Sequence, residues 1–171
     1  MIAASPPLVI SIGGFRRIKL MARALSIART LFLAQRIAPT NMATEHMSGI
    51  IAGAGWFSTG SNFTHTFKGI APNANIINLR VLDQNGAGTD SSVIAAIQTA
   101  INLKSTYNIR VISLSLGRQV YESYQLDPLC QAVEAAWNAG IVVLAAAGNQ
   151  GRNNTAGTEG YGTIAAPGND P

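Results

Sequence analysis

Side chains able to do chemistry are sparse and scattered in this 171-residue chain. The single cysteine, Cys130, has no second thiol for an intrachain disulfide. The two histidines, His46 and His65, stand too far apart in sequence to build a Cys/His zinc cluster. Asp83, Asp90 and Asp127 are isolated acids whose surroundings suit helix caps and turns rather than a cation site. Gly13-Gly14 is too short for a phosphate loop, and no glycine-rich turn follows a strand and opens a helix as a nucleotide site requires. Three short polar loops remain, Asp83–Gly88, Ser115–Arg118 and Gly148–Asn153. They offer hydroxyls, carboxamides and glycines, which suit hydrogen bonding and close backbone approach.

Each loop follows an apolar run that reads as a buried strand: Ala74–Leu82, Ile109–Leu116 and Ile141–Ala147. Between them lie helical patterns. Thr89, Asp90 or Ser91 can cap a helix that carries Val93, Ile94, Ile97, Ala100 and Ile101 at helical spacing through Asn102, and Asn108 ends the connection. Asp127-Pro128 opens a second helix with Leu129, Val133, Ala136 and Trp137 on its apolar face, stopped by Gly140. Apolar strands alternating with amphipathic helices predict an α/β fold: a mostly parallel sheet with helices on both faces. In such a sheet functional groups gather at the carboxyl ends of the strands, where the three loops fall.

With 47% hydrophobic and 12% charged residues, and a mean hydropathy of +0.21, the composition excludes global disorder and allows one full core. The most membrane-like stretch, Ala135–Ala147, is too short for a span and is broken by Asn138 and Gly140. The net charge of +4 is unevenly placed. Residues 1–45 carry Arg16, Arg17, Lys19, Arg23, Arg29 and Arg36 against Glu45 alone, a balance of +5, whereas residues 46–171 balance at −1. Basicity confined to one quarter of the chain argues against a nucleic-acid-binding fold. It also marks a boundary between an atypical segment, 1–45, and a body, 46–171.

Four stretches of the body, in order, resemble the subtilisin-like serine proteases, the subtilases of peptidase S8 type: His46–Gly53, Gly69–Ala74 running into Val81-Leu82-Asp83, Val111–Gly117 (VISLSLG), and Val142–Asn149 (VVLAAAGN). The resemblance implies a three-layer subtilisin-like fold and peptide-bond hydrolysis through an acyl-enzyme. It implies that Asn149 supplies a side-chain donor to the oxyanion hole, because hydrolysis needs donors aimed at the developing charge. It also implies that Ser115, Leu116 and Gly117 form the edge that pairs with an extended peptide, and that Ala146, Ala147 and Gly148 form the other wall of the pocket for the residue before the scissile bond. The expected partner is an extended peptide or protein substrate. Calcium is possible by family only, with no cofactor assignable from the residues. Export is expected by family analogy, although the amino terminus has no recognisable signal peptide.

The sequence also departs from the family pattern. The family's nucleophile lies in Gly-Thr-Ser opening a later helix, and no such motif occurs here, so a truncated and inactive fragment is expected. Its base comes from His-Gly-Thr-His-Val-Ala-Gly. His46 aligns with the second histidine, which places Ala43 where the imidazole belongs, and a methyl group cannot titrate near neutrality. The Asp partner is missing too, since residues 1–45 contain no Asp.

Residues 1–45 read as an out-of-frame translation of that missing segment. Asn41–His46 can be encoded so that the frame beginning at the third base reads His-Gly-His-Gly-Thr-His. Met1–Ser5 can be encoded so that the same frame reads Asp-Ser-Gly-Ile. The competing reading takes the Arg-rich, almost acid-free segment as a basic amphipathic targeting helix on a non-catalytic α/β peptide-binding module.

Overall fold

The computed structural model describes residues 8–13, 48–83, 85–151, 157 and 162–171. A four-stranded sheet is built from β1 (Leu8–Gly13), β2 (Asn75–Arg80), β3 (Ile109–Leu114) and β4 (Val142–Ala145), in the order β2-β1-β3-β4. Every pairing is parallel. The helices are α1, of which residues 48–52 are described, α2 (Asp90–Tyr107) and α3 (Pro128–Asn138).

The alternation along β3 explains the layers. Ile112 and Leu114 point into the main core with Val93, Ile97 and Ala100 of α2 and Leu129 and Ala136 of α3. Val111, one residue out of phase, packs with the smaller cluster around Ala52 of α1 and Ala74. Successive side chains of a strand face opposite sides, so one strand serves both cores and helices cover both faces.

The expected strands and helices are all present, with shifted bounds. Thr89 caps α2 by accepting from the Ser92 N–H at 3.2 Å. That helix runs five residues past Asn102, with Leu103 against the core, and closes at Asn108, whose φ of 52° is left-handed. Asp127 caps α3, accepting from the Leu129 N–H at 2.9 Å, with Pro128 in the first turn. Beyond α3, Gly140 takes a φ of 76°. Strands β3 and β4 stop short of the apolar runs that contain them, because Ser115–Gly117 and Ala146–Asn149 leave the ladder.

The strand with no sequence-based forecast is β1. It lies within the basic segment, and its run Val9-Ile10-Ser11-Ile12, with three β-branched residues, suits an interior strand with neighbours on both sides. The rest of 1–45, with the aligned positions Ala43 and His46, falls outside the described residues. At one margin of the sheet β4 pairs on one side only among the described residues, and Val142 and Leu144 are 45% and 56% exposed. Among the described residues no helix is long and apolar enough to cross a membrane.

Candidate functional site

At the carboxyl ends of β3 and β4 the chain opens into a cleft of about 980 Å³. Ser115, Leu116 and Gly117 line one side; Ala146, Ala147, Gly148 and Asn149 line the other. All seven residues singled out from the sequence therefore meet in one concavity. The third expected loop, Asp83–Gly88, is not among its lining residues. There Asp83 accepts from the N–H groups of Asn85 and Ala87 at 2.8 and 2.9 Å, and these bonds, Ala87 first, hold its carboxyl below the usual range.

The two sides are joined at their base. The Ala146 N–H donates to the Leu114 carbonyl at 3.1 Å, continuing the β3–β4 pairing by one bond. Beyond it, the Ser115 N–H still belongs to the β1–β3 ladder through the Ile12–Leu114 pair, whereas no backbone bond joins the Ser115 carbonyl, Leu116 or Gly117 to another described residue. Pairing resumes at Arg118, which exchanges two antiparallel bonds of 2.9 Å with Ala166. The result is a rim of open backbone, from the Ser115 carbonyl to Gly117, between two anchored residues. Opposite it, the exposed Asn149 carboxamide makes no hydrogen bond to any described residue.

A third wall was not anticipated from the sequence. Gly162, Thr163, Ile164 and Ala165 line the same cleft, and the Ala165 N–H donates to the Ala147 carbonyl at 2.9 Å. Ala165 is nearly buried, and the two glycines converge on it. A Cβ on Gly117 would fall 3.2 Å from the Ala165 Cβ, and so would a Cβ on Gly148, whose φ of 91° already disfavours a side chain. Glycine at both positions keeps the floor of the cleft open.

Arg118, the last residue of the Ser115–Arg118 loop, also lines the cleft, and its partners were not anticipated from the sequence. Its Nε donates to Asp90 Oδ2 at 2.7 Å and its Nη2 to Asp127 Oδ1 at 2.8 Å. Burial works against the guanidinium's charge, but the bonds and charges of Asp90 and Asp127 outweigh it and raise the pKa. Asp83 is tied to its own loop, while Asp90 and Asp127 share one arginine. Among the described residues no group of three or more His, Cys, Asp or Glu comes together.

A parallel α/β sheet with a cleft at its carboxyl edge, lined by glycine, alanine and the Asn149 carboxamide, is the layout of a subtilisin-like protease domain. The chain belongs to the subtilase family, whose model matches residues 44–169. It is 38% identical over 128 residues to the serine protease AprX of Bacillus subtilis (strain 168), covering 72% of this chain and 26% of that protein. It is 44% identical over 111 residues to thermitase of Thermoactinomyces vulgaris, covering 65% and 34% respectively. The chain thus spans between a quarter and about a third of the length of these curated relatives. Among solved structures its fold is similar to that of the S41 psychrophilic protease, with a TM-score of 0.59 at 22% identity over 96% of this chain and 50% of that one.

Proposed function

We propose that this chain forms the peptide-binding and oxyanion-donor part of a subtilisin-like serine endopeptidase cleft. The observation that carries the reading is the open backbone from the Ser115 carbonyl to Gly117, held between the paired residues Leu114 and Arg118 and facing the Ala146–Gly148 wall. An extended peptide laid along this rim adds a strand to it. Its main-chain groups take up the unpaired donors and acceptors, and one side chain drops between Gly117 and Gly148 towards Ala165. Asn149, at the mouth of the same cleft, is the group whose amide donates to an oxyanion on the scissile carbonyl.

In this reading the chain by itself binds peptide without cutting it. Ala43 replaces the imidazole that would take the proton from a nucleophile, and no Gly-Thr-Ser supplies the hydroxyl. Incubating the purified chain with a fluorophosphonate probe tests this. No covalent label is expected, and labelling of any serine would overturn the non-catalytic part of the proposal. Titration with a fluorescein-labelled hexapeptide of alanine and leucine tests the binding part. Saturable anisotropy is expected, and a flat response would remove the peptide-binding role.

A further inference from the structure

Arg118 closes the rim, and each of its three side-chain nitrogens is engaged. Besides the bonds to Asp90 and Asp127, Nη1 donates to the Gln119 carbonyl at 2.9 Å, and the Tyr121 ring centre lies 5.1 Å from Cζ. The two carboxylates come from different parts of the fold. Asp90 is the first residue of α2, and Asp127 is the N-cap of α3. One guanidinium therefore ties the starts of two helices to the residue at which the open rim ends. The backbone of that residue is at the same time locked to Ala166, next to the cleft floor.

The two attachments differ in kind. Asp127 is fully buried; among the described residues its second oxygen, Oδ2, has no hydrogen-bond partner and Arg118 is its one cationic contact. Asp90 is 46% exposed and bonds only through Nε. A planar guanidinium can hold two carboxylates in fixed, divergent directions, which a lysine ammonium at the end of a flexible stem cannot. The fork consequently sets the direction in which the chain leaves the rim.

We propose that Arg118 is a positioning residue for peptide binding: by holding Asp90 and Asp127 in one fork it fixes the direction in which Ser115–Gly117 present their backbone groups to an extended ligand. This rests on the peptide-binding reading of the cleft. Arg118 acts through the rim, since its own nitrogens are committed elsewhere.

The test uses the full 171-residue chain and the labelled hexapeptide, with and without N-methylation of single peptide bonds, and follows folding by thermal melts. Arg118→Lys keeps a positive charge beside Asp127 but cannot span both acids. It is expected to weaken binding about tenfold, the scale of one charge-assisted hydrogen bond, and to abolish the penalty for N-methylation at the most sensitive bond. Asp90→Ala leaves the buried pair intact and keeps the variant folded. It is expected to weaken binding about threefold, with partial loss of the same penalty and an unchanged melt. A residue that merely stabilised the fold would lower the melting temperature without altering the N-methyl ratio. If Asp90→Ala keeps wild-type affinity and the wild-type N-methyl ratio, the positioning role is wrong, whether or not Arg118→Lys folds. A wild-type chain that fails to bind the peptide removes the peptide-binding reading itself, and the positioning role with it.

Discussion

Gly117 lies so close to Ala165 that a Cβ on the glycine would stand 3.2 Å from the alanine's own. The contact joins the open rim to the floor of the cleft, and it is tight enough that a methyl group must displace its neighbour slightly. Gly117→Ala is therefore expected to cost the fold no more than about 1–2 kcal/mol, as small overpackings do. Peptide affinity is expected to fall about tenfold, because the added group stands where a ligand side chain enters. Urea denaturation and peptide anisotropy on the same preparation check both halves. Unaltered affinity would show that no ligand enters between Gly117 and Ala165.

The arginine fork makes an asymmetric stability prediction. Arg118→Met strands the fully buried Asp127 carboxylate and is expected to cost about 3–5 kcal/mol. Asp127→Asn keeps an oxygen to cap Leu129 and leaves Arg118 its bond to Asp90, so its cost is expected nearer 1–2 kcal/mol. Urea midpoints at neutral pH rank the two, and the reverse ranking would contradict the account.

How much of this was legible beforehand follows from where each residue's signal lies. The core strands and both caps were readable because hydrophobic periodicity and Asp-Pro are local signals, whereas the seven cleft residues were reached through the resemblance to the subtilases. The arginine fork was not, because Asp90 and Asp127 lie 28 and 9 residues from Arg118 and look like ordinary helix-start acids. The Gly162–Ala165 wall was missed for a similar reason: small residues with no periodicity read as a loop until Ala147 and Gly117 are seen beside them. Asp83–Gly88 was placed at the site by the rule for strand ends, but β2 stands across β1 from β3, and its loop ends outside the cleft lining.

Cys130 offers a pH-dependent check. Burial first, and then the nearby Asp127 carboxylate, push its thiol up to about 11 from an ordinary 9.0. At pH 8 the folded chain should hold only about 10⁻³ of the thiol as thiolate and should react slowly with iodoacetamide, while urea-unfolded chain reacts rapidly. The same shift has a stability sign. The unfolded thiol ionises near 9.0 and the folded one near 11, so the contribution is fully present below 9.0 and lost as pH rises towards 11. Stability measured at pH 8 and pH 10.5 should fall more steeply for wild type than for Cys130→Ala. Equal slopes would mean the thiol is not held as described.

The half-open β4 predicts self-association. Val142 is 45% exposed on a strand that pairs on one side only. Val142→Lys places a charge on that edge, away from the cleft lining, and is expected to reduce light scattering of concentrated solutions while leaving peptide affinity unchanged. Scattering that persists would locate the sticky surface elsewhere.

The interior position of β1 has a kinetic consequence. Leu8 pairs with Asn75 on one side and Ile109 on the other, so β1 is synthesised well before either neighbour and must wait for both. Contacts this distant along the chain make assembly slow, and during synthesis the Leu8–Gly13 strand remains unpaired until both neighbours have emerged.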